Sequence, residues 1–155
     1  MTKIKKIIIL LFCSIILSSC GFKAMNDKTG NSYVVNNIKI EGNKRIGYLL
    51  KKIIDSHSTN TSEKLLDINI RAQKKTKIRE RNISYKTTKK TMLINIDIEI
   101  KNIRNNKVTK STFSQEIEYA IGPSHSSTLN NEKTALSDLT DRISQDVIIQ
   151  IKRSL

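Results

Sequence analysis

The chain has 155 residues, with 28 Lys plus Arg against 14 Asp plus Glu, and a formal charge of +14. That length fits one domain, and 37% hydrophobic residues can fill a core that must be aliphatic, since aromatics are 5% and Trp is absent. The composition excludes collagen-like repeats and a fully disordered chain, and its dominance by Ile, Lys and Asn, beside 5 Gly and 1 Pro, assigns part of the charge to A- and T-rich codons.

In chain order, Lys3, Lys5 and Lys6 precede an apolar run from Ile7 to Leu17, which reads as a signal peptide. The run is about half the roughly 20 residues a transmembrane helix needs. It ends in Leu17, Ser18, Ser19 and Cys20, which resembles the bacterial lipobox, where small residues precede a Cys that is acylated and becomes the mature N-terminus. Expected boundaries are a signal peptide over 1–19, a lipidated N-terminus and tether over 20–32, and one folded domain over 33–155. Loss of Lys3, Lys5 and Lys6 lowers the mature charge to +11. Cys13 leaves with the signal peptide and Cys20 carries lipid, so no thiol is left for a disulfide, a metal or catalysis. Two or three acyl chains anchor a protein to a membrane without spanning it. By resemblance to enterobacterial sorting, Gly21 directs the protein to the outer membrane, on its periplasmic side.

Tyr33 to Ile40 is β-rich and stops at Gly42; Asn43 then caps a helix. Ile46, Leu49, Leu50, Ile53 and Ile54 form its apolar stripe, ending near His57. Leu66, Ile68, Ile70 and Ala72 alternate with polar residues as a half-buried strand. Met92, Ile94, Ile96, Ile98 and Ile100 repeat the pattern, Asn105 and Asn106 make a turn, and Phe113, Ile117, Tyr119 and Ile121 mark a fourth strand antiparallel to the third. Gly122 and Pro123 end it, and a polar loop runs to Asn131. From there Leu136, Leu139, Ile143, Val147 and Ile151 form a long helical stripe, with Glu132 in its first turn and Lys152 and Arg153 in its last, as the helix dipole favours. The order β-α-β-β-β-α, with both helices amphipathic, predicts a two-layer α+β sandwich: a four-stranded, mostly antiparallel sheet covered on one face by two helices.

These elements resemble the lipopolysaccharide-assembly lipoprotein LptE family. The resemblance covers most of the mature chain. It rests on Cys20, Gly21 and Phe22, on Lys44, Arg45, Ile46, Gly47 and Leu49 opening the first helix, on the three-strand block, and on the amphipathic stretch from Glu132 to Leu155. The chain departs from the family pattern after Phe22, where Lys23, Ala24, Met25 and Asn26 replace the usual Arg, Pro, Leu and Tyr. The resemblance implies a non-enzymatic role without cofactors beyond the lipid on Cys20. Such a lipoprotein sits in the lumen of the LptD β-barrel, assists its assembly, and binds lipopolysaccharide on its way to the cell surface.

The residues offer a ligand site for that role. Between the second and third strands lie Arg71, Lys74, Lys75, Lys77, Arg79, Arg81, Lys86, Lys89 and Lys90, opposed within the segment only by Glu80. Arg binds phosphates bidentately and Lys as a point charge, so the candidate contacts to lipid phosphate are Arg79 and Arg81 at the expected hairpin tip, with Lys77, Lys86 and Arg71. A Lys-rich chain fills any solvated hairpin with cations, and Lys74, Lys75, Lys89 and Lys90 are assigned to that background. Tyr85 is read as closing the turn. Nucleic acid is set aside because the aromatic platforms of single-strand binders are nearly missing. The alternative is an envelope lipoprotein that binds another polyanion, such as peptidoglycan or teichoic polymers. No catalytic or metal-binding constellation is evident. His57 and His125 lack ligand spacing to another candidate, Ser124 beside His125 reads as a capped turn before the last helix, and Asp97 and Glu99 lie on the wet face of their strand.

Overall fold

The computed structural model describes residues 32–155, so the signal peptide, Cys20 and nearly all of the tether lie outside the described residues. The elements are β1 (Val34–Gly42), α1 (Lys44–His57), β2 (Leu65–Arg81), β3 (Thr87–Asn102), β4 (Val108–Ala120) and α2 (His125–Ser154). They form the expected α+β sandwich. The sheet order is β1-β2-β3-β4, with β1 parallel to β2 and the other pairs antiparallel. Parallel pairing requires a crossover between the two strands, and α1 supplies it.

The alternation read from the sequence decides which face is buried. Leu66, Ile68, Ile70 and Ala72 on β2 and Met92, Ile94, Ile96, Ile98 and Ile100 on β3 are buried against Ile46, Leu50 and Ile54 of α1 and Leu136, Leu139, Ile143, Val147 and Ile151 of α2. The opposite face of the sheet carries Asn69, Arg71, Asn95, Asp97, Glu99, Lys110, Thr112 and Ser114, and no element among the described residues covers it. Leu49, expected in the apolar stripe of α1, sits at its exposed rim.

Local chemistry places the first turn. Gly42 has φ +76°, and a Cβ there would meet the Ala72 carbonyl oxygen at 2.2 Å, a position only glycine fills without strain. The next amide, Asn43 N–H, donates to that same carbonyl at 2.7 Å. The Asn43 side chain then accepts from Ile46 N–H at 3.2 Å and caps α1. Gly47 lets α1 settle on β1, since a Cβ would meet Ile40 Cγ2 at 2.2 Å.

Four boundaries differ from the pattern-based reading: β3 starts at Thr87 and β4 at Val108, ahead of Met92 and Phe113, and the other two concern β2 and α2. β2 continues past Ala72 to Arg81, because backbone bonding to β3 persists after the side chains emerge into solvent. α2 begins at His125 and not at Asn131. Its start is a reciprocal capping box: Ser124 Oγ accepts from Ser127 N–H at 3.1 Å, and Ser127 Oγ faces Ser124 N–H. The Ser/Thr/Asn-rich segment that reads as a loop is therefore the first two turns of the helix.

Candidate functional site

The basic segment between the second and third strands is the distal half of a long hairpin. β1 ends at the pair Gly42 and Ala72, so among the described residues β2 has no outer neighbour from Gln73 to Arg81. At about 3.3 Å per residue, the 17 residues of β2 extend about 55 Å. The described chain enters at the opposite end, where Val34 N–H donates to the Lys64 carbonyl at 2.8 Å.

Asn82 to Lys86 close the tip. Asn82 N–H donates to the Lys86 carbonyl and Tyr85 N–H to the Asn82 carbonyl, each at 2.9 Å, and Lys86 N–H donates to Asn82 Oδ1 at 2.9 Å. Tyr85 adopts φ 60° and so helps close the turn through its backbone. Its ring is free, at 82% exposure, and Ile83 is 100% exposed. The sequence pattern places cations and the turn-closing Tyr85 at this tip but does not single out Ile83. Ile83 breaks the polar run from Arg81 to Lys86 without belonging to any alternation, and that was the available signal.

The structure corrects the expected charge balance. Glu80 is not the sole opponent of the nine cations, because carboxylates from other elements reach them. Arg71 places Nε and Nη2 on Glu41 Oε2 of β1 at 3.2 and 2.9 Å. Lys74 pairs with Glu132 of α2, Arg79 with Glu118 of β4 at 2.8 Å, and Lys89 with Glu80 at 2.8 Å. Hydrogen bonds from Lys89 and Thr88 hold the Glu80 carboxyl below its ordinary pKa, and the Lys89 ammonium is raised in return. Hydrogen bonds from Lys39 and Arg71 lower Glu41 in the same way.

Among the described residues, Lys75, Lys77, Arg81, Lys86 and Lys90 have no carboxylate partner. Of the five predicted contacts, Arg81 and Lys86 lie at the tip and Lys77 about 13 Å back along β2, all three without a carboxylate partner. Arg79 stands beside them in an irregular stretch of β2, tied to Glu118. Arg71 is separated from the group: it lies opposite Asp97, ten residues and about 33 Å along the strand from Arg81.

A depression of about 480 Å³ on the open sheet face is lined by Asn69, Arg71, Asp97, Glu99, Lys110 and Thr112. Within it Lys110 pairs with Glu99 at 2.9 Å and Arg71 with Glu41, while the Asp97 carboxylate accepts a hydrogen bond from the neutral Thr112 Oγ1 at 2.8 Å. Ser124 and His125 form the start of α2, with the Ser124 hydroxyl engaged in the cap. His57 Nδ1 lies 2.9 Å from the Ile53 carbonyl at the end of α1. Among the described residues no helix is long and apolar enough to cross a membrane, and no group of three or more His, Cys, Asp or Glu is arranged for a metal ion.

No protein-family model matches the chain, and no curated protein matches it by sequence. Solved structures do match its fold. Rare lipoprotein B from Shewanella oneidensis superposes with a TM-score of 0.56 at 7% identity, covering 77% of this chain and 95% of its own. The minor lipoprotein from Acinetobacter baumannii gives 0.54 at 9% identity, with 79% and 94% covered. An uncharacterized lipoprotein B from Nitrosomonas europaea gives 0.53 at 16% identity, with 79% and 83% covered. At these identities the likeness establishes a shared fold.

Proposed function

We propose that the protein is an outer-membrane lipoprotein of the LptE kind, anchored through lipid on Cys20, that occupies the lumen of an LptD-like β-barrel, assists its assembly and engages lipopolysaccharide in transit. The lipobox-like start and a fold shared with bacterial lipoproteins support the anchor. A wet sheet face rich in polar and charged side chains suits the polar interior of a large barrel. No catalytic step is assigned.

One observation carries the ligand half of this reading. The hairpin tip joins unpaired cations at Lys77, Arg81 and Lys86 to fully solvated apolar side chains at Ile83 and Tyr85. An anionic glycan polymer offers carboxylates or phosphates for the first set and sugar faces for Tyr85, but no acyl chain for Ile83. An anionic glycolipid offers both, with phosphates for the cations and acyl chain or sugar surface for Ile83 and Tyr85. The tip stands at the end of the sheet opposite Val34, near which the described chain begins.

Purification from native membranes in mild detergent tests the reading. A large β-barrel should accompany the protein, and depleting the protein should lower the barrel's level. Recovery of the protein without a barrel, with barrel levels unchanged on depletion, would refute it and leave an envelope polyanion as the ligand class.

A further inference from the structure

β1 is an outer strand of the sheet, and α1 returns antiparallel along it. Gly47 sits against Ile40, and Tyr33, just before the strand, donates its hydroxyl to the Ile54 carbonyl at 3.4 Å. Ile46, Leu50 and Ile54 turn into the core, while Lys44, Tyr48 and Lys51, four and three residues apart, share the flank of the helix beside the strand. With Ile38, Lys39 and Ile40 of β1 they line a groove of about 360 Å³. Lys51 is half-buried there, and Tyr48 is 61% exposed.

The strand wall of this groove is backbone. Asn43 N–H donates to the Ala72 carbonyl at 2.7 Å, and the register is regular from Asn37 opposite Asp67 to Gly42 opposite Ala72. Residues that bond to a neighbouring strand alternate, so Asn37, Lys39 and Glu41 bond to β2 in step with Asn43. Ile38 and Ile40 therefore direct N–H and C=O to the free edge. Val35 N–H is already taken by Ser58 Oγ at 3.1 Å, and the positive φ of Gly42 ends the strand. The usable edge is short and centred on Lys39, which limits indiscriminate pairing and leaves affinity to the side chains beside it.

The groove lining holds three lysines and no carboxylate. Lys39 is spent on Glu41 at 2.8 Å, whereas Lys44 and Lys51 have no carboxylate partner among the described residues. We propose that this groove docks an extended acidic segment of a partner protein, which adds a strand to β1 and sets carboxylates on Lys44 and Lys51. The partner backbone matches the donors and acceptors of Ile38 and Ile40 together. Residues opposite Ile38 and Ile40 project to the same side as they do, toward α1, so acids at alternate positions meet the two lysines. Lys44 and Lys51 stand about 10.5 Å apart along the helix and alternate strand residues about 6.6 Å apart, a difference that flexible lysine stems take up. A lipid phosphate matches the lysines and leaves the backbone edge without a partner. The chain's own residues 20–31, with Lys23 and Lys28 against Asp27, lack the alternating acids. This surface requires neither the barrel nor lipopolysaccharide and uses none of the cations at the hairpin tip.

The test uses the full chain in mild-detergent micelles and a fluorescein-labelled peptide of alternating Val and Glu. Fluorescence anisotropy should show saturable binding, and amide hydrogen exchange should slow at Ile38 and Ile40 in the complex. The same peptide methylated on its backbone nitrogens keeps its charge and loses its donors, and it should not bind; nor should the peptide with Lys in place of Glu. Lys44→Glu with Lys51→Glu, both at the helix surface, should weaken binding about tenfold, while Arg81→Ala with Lys86→Ala should leave it unchanged. Absence of binding, equal binding by the methylated peptide, indifference to charge reversal at Lys44 and Lys51, or loss through Arg81 and Lys86 would each overturn the proposal. Competition by micellar phosphatidylglycerol as strong as that by unlabelled peptide would also overturn it and assign the lysines to a lipid headgroup.

Discussion

Replacing Lys77, Arg81 and Lys86 together by Ala should weaken lipopolysaccharide binding by on the order of a hundredfold near 0.1 M salt. A basic residue close to an anionic headgroup surface is worth about 1 kcal/mol, or roughly fivefold in affinity, and these three lack intramolecular carboxylates that would already satisfy them. Arg71→Ala changes the total charge by one unit, yet it should alter binding less than about twofold. It lies about 33 Å along β2 from Arg81, more than three Debye lengths at that salt, and its guanidinium is held by Glu41. Arg79→Ala falls between, because it uncovers Glu118 beside the site; adding Glu118→Ala should recover the loss. Titration of labelled lipopolysaccharide at two salt concentrations reads all four variants, and the triple variant should also flatten the salt dependence. Equal weakening by Arg71→Ala and by the triple variant would mean that net charge, and not the tip, governs binding.

Ile83→Ser with Tyr85→Ser should weaken the same binding while leaving its salt dependence intact, since the fully exposed tip contributes by burial of apolar surface; an unchanged affinity would remove the apolar contact. Gly47→Ala should destabilise the fold by about 1–3 kcal/mol in urea titrations despite the better helix propensity of Ala, because its Cβ meets Ile40 Cγ2. In an Ile40→Ala background that cost should largely vanish, and a full cost there would place the clash elsewhere. Tyr33 is buried and its hydroxyl is pushed up to about 12, first by burial and then by Asp55. A raised pKa favours the folded state below the unfolded value of about 10 and loses that advantage as pH climbs toward 12, so the parent should lose about 2–3 kcal/mol more than Tyr33→Phe across that interval.

Where one face of an element is buried, the sequence pattern carried the fold. Ile94, Ile96, Ile98 and Ile100 alternate because α1 and α2 cover that side of β3, and Asn43 announced the helix it caps. The pattern failed where both faces are wet. β2 beyond Ala72 has exposed side chains on both sides, so nothing in its hydrophobicity distinguishes strand from loop, and only the backbone ladder to β3 does. The start of α2 was hidden because Ser, Thr and Asn serve loops and caps equally well, and the Ser124 and Ser127 pair is a capping box only once its geometry is known. The candidate site was half legible for a related reason. Composition located the cations, but Glu41, Glu118 and Glu132 are 30, 39 and 58 residues from Arg71, Arg79 and Lys74, so the sheet and helix packing alone reveal which cations are neutralised.

That partition bears on the meaning of the +14 charge with which the chain begins. Codon bias raises the number of lysines everywhere, yet it has no means of arranging where carboxylates meet them. On the hairpin, the neutralising groups arrive laterally from β1, β4 and α2, at Arg71, Arg79 and Lys74. β1 stops at Gly42 and β4 at Ala120, before the strands of the hairpin do, so among the described residues no flanking strand runs beside Arg81 and Lys86, and the hairpin's own Glu80 is held by Lys89. The local field therefore grows more positive along β2 toward Arg81 and Lys86, which steers an approaching anion to the end of the molecule where Ile83 and Tyr85 are exposed. A composition-driven surface predicts an affinity that follows total charge; the hairpin geometry predicts one that follows position, and the contrast between Arg71 and the tip separates the two.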